Sequence, residues 1–303
     1  MDIAVLGAGA MGILFGGYLS ERNNVVLVGR NKENMESIKR DGVIIREKDE
    51  KEKVYFPSAT IDTDEIKNVD LVILFVKSGN SEEVLEKHKS IIGKNTVLMT
   101  LQNGVGHEEI LCRYANKENV IIGTTQQGSF RIDYRTVCHS GGGNSALGAI
   151  CGKSERFKYI AEEFEKCGFL CEVSDNVGYM IWNKIMINAS SSILSGLLQV
   201  PQGYVAENKN AWNIAEKLIE EICIAADCQG YKFDMNEQKQ RLYDHLKNAP
   251  DGLTSIYADI KEGRKTEVRK INGAVIEAAK SKGISLPVNE TIFNLVTALE
   301  GKF

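Results

Sequence analysis

The chain opens Asp2-Ile3-Ala4-Val5-Leu6-Gly7-Ala8-Gly9-Ala10-Met11-Gly12. Residues 2–6 are a short apolar run of strand type and residues 10–22 read as a helix, so three glycines fall at a strand-to-helix turn. Gly7 permits the tight turn, Gly9 has no Cβ to stand in front of an anion, and Gly12 lets the helix pack close to the strand. The N–H groups at the helix start then face a phosphate. The chain has 28 glycines, so the spacing alone says little. Its position between strand and helix makes Gly7, Ala8, Gly9, Ala10, Met11 and Gly12 a dinucleotide-binding loop, with a purely structural glycine turn as the alternative.

Outward from this loop, strand and helix alternate. Residues 24–28 read as a second strand, 32–40 as a helix, and 43–46 with 53–56 as a hairpin around a charged turn. Asp70-Leu71-Val72-Ile73-Leu74-Phe75-Val76 is apolar without alternation, as a central strand of a parallel sheet should be. Helices at 81–91 and 107–114 and strands at 96–101 and 120–122 continue the pattern. Between 124 and 150 short strands separated by glycine predict antiparallel strands that extend the sheet, followed by a helix at 155–167 and a last strand at 169–173. After Asp175 only helices are expected, over 177–198, 210–229, 236–246, 254–262, 266–282 and 289–299. The fold class is therefore α/β. A doubly wound, Rossmann-type N-terminal domain with an antiparallel extension (residues 1–174) precedes an all-α domain (residues 175–303).

The 303 residues suffice for two cores, and 37 basic against 41 acidic residues leave no basic field for nucleic acid. No apolar run approaches membrane-spanning length, and Met1 leads straight into a strand rather than a signal peptide. The seven cysteines are scattered without a Cys-x-x-Cys pair, and the four histidines are far apart in sequence. No metal is assigned, and a cytoplasmic location with reduced thiols is expected. A homodimer is compatible with the sequence but not specified by it.

An NAD-binding fold places a carboxylate at the end of its second strand, to hold the ribose 2′-hydroxyl. Here that strand runs into Gly29-Arg30-Asn31-Lys32, and the first carboxylate, Glu33, comes inside the next helix. The planar fork of Arg30 suits a 2′-phosphate, which favours NADP(H); a solvated arginine at a helix start is the alternative. Lys77, after the central strand, and Asn103, in Gln102-Asn103-Gly104-Val105-Gly106, fall at the carboxyl ends of strands, where ligands gather in open sheets. A surface lysine and a turn asparagine are the plain readings of these two.

In the expected helix 177–198, Lys184, Asn188 and Ser192 are spaced i, i+4, i+8 and share one face. Ile181, Ile185, Met186, Ile187, Ile193 and Leu194 make the helix apolar around most of its circumference. A lysine there either snorkels to water or has a task. Carbonyl reduction supplies one: an ammonium stabilises the charge that develops on oxygen and delivers the proton. Burial would lower its pKa toward the working pH. Glu267 sits on the apolar stripe of Ile271, Ala274 and Ala278 in the expected helix 266–282. It is a second catalytic candidate, or simple compensation of a helix dipole. Ser255 is an N-cap or a hydroxyl for a substrate carboxylate.

Taken together, the N-terminal glycine loop, Arg30, Lys77, Gln102-Asn103-Gly104-Val105-Gly106, Trp182-Asn183-Lys184 with Asn188, Ser255 and Thr266-Glu267-Val268 with Ile271-Asn272-Gly273 resemble the ketopantoate reductase family over nearly the whole chain. The resemblance implies NADPH-dependent reduction of 2-dehydropantoate (ketopantoate) to pantoate, a step toward pantothenate and coenzyme A. It implies Lys184 as proton donor. It implies substrate contacts from Asn103, Asn188 and Ser255, cofactor contacts from Lys77, Asn103 and Glu267, and an approach of Gly128-Ser129 to the cofactor. Two positions depart from the family pattern: Ser192 replaces a second substrate-binding asparagine, and Pro201-Gln202-Gly203 replaces a Pro-Asn-Gly turn. Ser192 and Gln202 are counted with the substrate-binding residues, and two alternatives stand, the first of them motivated by these departures. One is a reductase of another 2-oxo acid; the other is a non-catalytic NADP(H)-sensing protein, which would have no use for both Lys184 and Glu267.

Overall fold

Strand β1, Asp2–Leu6, is apolar and buried from Ile3 onward because it lies inside a sheet covered on both faces. Ile3 and Val5 join one buried cluster with Phe15, Phe164 and Phe169, while Ala4 and Leu6 join a second with Leu85, Ile91 and Leu111. In the computed structural model, which describes residues 1–67 and 69–303, the remaining strands are β2 Asn24–Val28, β3 Val43–Arg46, β4 Glu52–Tyr55, β5 Ser58–Thr60, β6 Leu71–Leu74, β7 Val97–Thr100, β8 Val120–Thr125, β9 Gly128–Arg131, β10 Thr136–Gly141, β11 Ser145–Ala149 and β12 Cys171–Val173. Eight form one sheet in the order β12-β11-β8-β7-β6-β1-β2-β5. Every neighbouring pair is parallel except β8 with β11. The chain moves outward from β1 to β2 and later returns to β6 on the other side of β1. The switch point of the sheet is therefore at the carboxyl ends of β1 and β6, the place where open α/β sheets bind ligands.

The expected antiparallel extension is half correct. β11 extends the large sheet, pairing Ser145 with Thr125 through Ala149 with Ile121. β9 and β10 instead leave it and join the β3–β4 hairpin in a separate four-stranded sheet of order β4-β3-β10-β9. The inward residues of that sheet, Val43, Ile45 and Val137, complete the core beneath the first helix, Ala10–Leu19. Tyr18 on that helix donates to Glu47 and lies 3.0 Å from His139 Nδ1, which ties helix to small sheet.

The described residues divide into two compact units, residues 1–102 with 107–177 and residues 103–106 with 178–303. The second unit is helical. Its core gathers Trp182, Ile185, Leu218, Ile222, Val275 and Val296 around the twenty-residue helix Lys209–Cys228. That helix starts where Asn208 accepts from the N–H groups of Asn210 and Ala211. The expected helix 177–198 is interrupted. An α-helix, Val177–Ile187, widens into one π-turn, Asn188–Ser192, before continuing as Ile193–Leu198. No helix among the described residues is long and apolar enough to cross a membrane.

Candidate active site

The glycine loop has the geometry its sequence demands. Gly7 has φ +115°, a region L side chains rarely adopt, and a Cβ there would lie 2.8 Å from the Val76 nitrogen. A Cβ on Gly12 would meet the Gly7 carbonyl oxygen at 1.8 Å, so helix and turn touch backbone to backbone. In front of Gly9, by contrast, nothing lies within 4 Å of an added Cβ. Gly9 stands at the start of the helix Ala10–Leu19, leaving the first N–H groups without a side-chain cap. A dinucleotide pyrophosphate fits this cradle by charge and by shape.

Other candidates of the first unit lie as follows. Arg30 is exposed, two residues past β2, and Asn31 rather than Arg30 caps the next helix by accepting from the Asn34 N–H at 2.9 Å. Lys32 is turned to Glu36 at 3.8 Å. Lys77 is exposed just past β6, beside the segment that packs on Gly7. Ser129 lies on β9 opposite His139, and its hydroxyl is buried with no hydrogen-bond partner among the described residues.

In the second unit four candidates converge. Lys184 is half-buried near the end of the helix Val177–Ile187, and Asn188 stands at the first position of the π-turn. Burial lowers the Lys184 pKa from 10.5 to about 8, against the opposing pull of the Glu267 carboxylate. Glu267 Oε2 accepts from Asn103 Nδ2 at 3.0 Å. The loop of Asn103 is fixed to the same turn: Val105 N–H donates to the Lys270 carbonyl at 3.3 Å, and Gly104, at φ +106°, leaves no room for a Cβ against that carbonyl. The result is an ammonium, a carboxylate and an amide brought together, with the Asn188 amide one helical turn past the lysine. This set can hold an oxygen-bearing substrate and move a proton to it.

Three local expectations need correction. Glu267 is not on a helical stripe. Residues 267–271 form a turn, closed by Lys270 N–H to Glu267 O at 2.9 Å, and the helix starts only at Asn272. The turn is held from outside, because Glu300 accepts from Thr266 N–H and hydroxyl at 2.8 and 2.7 Å and from Arg269 at 2.6 Å. Lys184, Asn188 and Ser192 do not share one continuous α-helical face, since the π-turn resets the register before Ser192, which is 5% exposed. Ser255 is not an N-cap. Thr254 fills that role, accepting from Tyr257 N–H at 3.0 Å, and leaves Ser255 exposed at the first position of its helix. Gln202 begins the helix Gln202–Glu207 against residues 250–252, its side-chain carbonyl buried with no partner among the described residues. The sequence reading missed the π-turn, which Ser190 and Ser191 mark by donating back to the carbonyls of Met186 and Ile187. The run Ser190-Ser191-Ser192 in an apolar helix was the available signal.

The family described as ketopantoate reductase PanE/ApbA matches residues 3–152, and its C-terminal part matches residues 176–300. A 2-dehydropantoate 2-reductase of Pyrococcus abyssi is 31% identical over 100% of both chains. One of Archaeoglobus fulgidus is 30% identical over 98% of this chain and 97% of its own. Among solved structures, the ternary complex of D-mandelate dehydrogenase with NADH and anilino(oxo)acetate superposes with a TM-score of 0.93 at 29% identity, covering 100% of this chain and 99% of that one. With its glycine cradle, its lysine–glutamate pair and full-length matches on both units, the chain belongs to the ketopantoate reductase family of oxidoreductases.

Proposed function

We propose that this protein reduces 2-dehydropantoate to pantoate with NADPH, in the route toward pantothenate, and that Lys184 is the proton donor. The observation that carries the reading is the lysine: an ammonium lowered to about 8 by burial, influenced by Glu267, one helical turn before Asn188. Residues 1–174 are assigned to the dinucleotide, through the loop from Gly7 to Gly12, with Arg30, Lys77 and Ser129. Residues 175–303 are assigned to the substrate, with Asn103 and Glu267 serving both. The NADH-bound neighbour supports a nicotinamide dinucleotide. The preference for the phosphorylated form rests on Arg30, which stands where an NAD-type carboxylate would otherwise be expected.

When bound along the loop from Gly7 to Gly12, a reduced nicotinamide would supply a hydride for the 2-keto carbon. As the new C–H bond forms, the carbonyl electron pair moves onto oxygen, and the Lys184 ammonium stabilises the growing charge. Nζ then gives up its proton to that oxygen, leaving a neutral amine that solvent reprotonates. A pKa near 8 keeps the lysine mainly charged at neutral pH while making the proton easier to release. Glu267 favours the charged form and, through Asn103 Nδ2, holds the neighbouring loop in place. Asn188, Ser192, Gln202 and Ser255 are assigned to the carboxylate and hydroxyl groups of the substrate.

The second reading is reduction of a different 2-oxo acid. Ser192 and Gln202 motivate it, as does the close superposition on D-mandelate dehydrogenase. Steady-state oxidation of NADPH with 2-dehydropantoate, phenylglyoxylate and a series of branched 2-oxo acids separates the two. The highest kcat/KM with 2-dehydropantoate supports the first reading, and a clear preference for another acid supports the second. No turnover with any acid overturns both and leaves the sensing protein.

A further inference from the structure

A π-turn leaves α-helical carbonyls without their usual N–H partner, and buried carbonyls must find another donor. In the turn Asn188–Ser192, two donors are local serines. Two come from elsewhere in the fold: the Thr254 hydroxyl reaches the Ser192 carbonyl at 3.4 Å, and Asn272 Nδ2 reaches the Ala189 carbonyl at 2.8 Å. The Asn272 bond is the shorter of these two, and it grips the residue that follows Asn188.

The orientation of Asn272 is enforced by a chain of buried groups. A carboxylate only accepts, and Glu221 Oε2 accepts from the Asn289 N–H at 2.7 Å and from its Nδ2 at 2.9 Å. Asn289 must then present its Oδ1 to Asn272, whose Nδ2 donates to it at 3.0 Å. The same amide group has its second N–H left for Ala189. Asn272 and Asn289 are both 0% exposed, so bulk solvent does not reach either side chain. The Asn272 Oδ1 is buried without a partner among the described residues, which shows that its side chain is placed for its donors rather than its acceptor. Asn272 also opens the helix that directly follows the turn carrying Glu267. One side chain therefore ties the Glu267 turn to the π-turn of Asn188.

We infer that Asn272 is a positioning residue for the 2-oxo acid, setting the placement of Asn188 beside Lys184 through the Ala189 carbonyl, with Asn289 and Glu221 fixing its amide. The inference rests on the reading of Lys184 and Asn188 as the substrate site. Asn272→Asp keeps the shape but turns the donor into an acceptor. It is expected to raise KM for the 2-oxo acid about tenfold or more, as loss of a supporting shell does elsewhere. The kcat should stay within about threefold and the dinucleotide Kd within about twofold, because the glycine cradle is untouched. A merely structural role lowers Tm without this split between KM, kcat and Kd. Should the aspartate variant not fold, Asn289→Ala leaves Asn272 in place but unlocks its amide, and a rise in KM of about threefold is expected. An unchanged KM in folded variants, or an equal loss of dinucleotide affinity, overturns the inference alone. Absence of 2-oxo acid turnover by the wild type overturns the reading beneath it.

Discussion

At the scale of the residue, the proposed site rests on one lysine and on two glycines, Gly9 facing open space and Gly12 packed against the Gly7 carbonyl. Lys184→Ala should lower kcat by at least about 100-fold, the size of a lost general acid, with dinucleotide Kd within about twofold. Comparable loss of binding would assign the lysine to the cofactor instead. In the reducing direction kcat/KM should be level below about pH 8 and fall above it, as the ammonium gives up its proton. A flat profile up to pH 10 would rule the lysine out as donor. The folded pKa is below the unfolded value, so this group binds fewer protons folded than unfolded between the two values, and its cost to stability fades as pH rises through that window. Lys184→Met should therefore be inactive yet unfold at a Tm no lower than wild type. Gly9→Ala and Gly12→Ala separate binding from folding. The first meets open space and should leave stability within about 0.5 kcal/mol while weakening the dinucleotide; the second collides with the Gly7 carbonyl and should fail in both assays. Arg30→Ala should weaken NADPH at least about tenfold more than NADH, and equal losses would sink the argument for a 2′-phosphate.

At the scale of the element, the Glu267 turn is held by a staple at the far end of the chain. Burial pushes the Glu300 carboxyl up, but the bonds from Arg269 and Thr266 together outweigh it and hold the pKa below its ordinary 4.5. Its contribution to stability is thus complete above the unfolded value and is lost as pH falls through the lower folded one. Arg269 gives the largest single lowering, followed by the two Thr266 bonds, but it is 58% exposed, so solvent screening discounts its share. Glu300→Ala should cost about 1–3 kcal/mol in chemical unfolding and flatten the acid limb of the stability curve. An unchanged acid limb would mean that other carboxylates govern it. Elements were legible where one residue pattern admits one structure. β1, β2 and the central strand were read from continuous apolar runs. The π-turn was not, because the residues around it suit an α-helix nearly as well, only the run Ser190-Ser191-Ser192 hints at it, and its other donors, Thr254 and Asn272, lie far along the chain. The turn at residues 267–271 was hidden for a related reason: it contains neither glycine nor proline, and what stops the helix there is Glu300, more than thirty residues away.

At the scale of the whole molecule, the sequence was informative about architecture and silent about remote pairing. Alternation of strand and helix pointed to a doubly wound sheet, and the loss of strand signals after Asp175 to a helical remainder. Nothing local told β9 and β10 to abandon the large sheet, since β3, the strand on which β10 pairs, lies about ninety residues earlier. The candidate site residues stand out in the sequence because their chemistry is costly: a lysine in an apolar helix and glycines at a strand end both demand a reason. Ligand linkage tests the cradle at this scale. At one hundred times its Kd, NADPH should stabilise the fold by about 2.7 kcal/mol, visible as a rise in Tm that Gly9→Ala largely abolishes. A rise unaltered by that change would place the dinucleotide elsewhere.

The loop 103–106 leaves the first unit, joins the second for four residues, and returns. For anyone grafting parts between relatives, the seam of this chain is therefore not a single cut. A chimera that exchanges residues 1–177 to alter cofactor preference also exchanges Asn103, the amide that grips Glu267. A clean transplant must leave Asn103-Gly104-Val105-Gly106 behind, with the recipient's own Glu267 turn, and so requires three junctions rather than one.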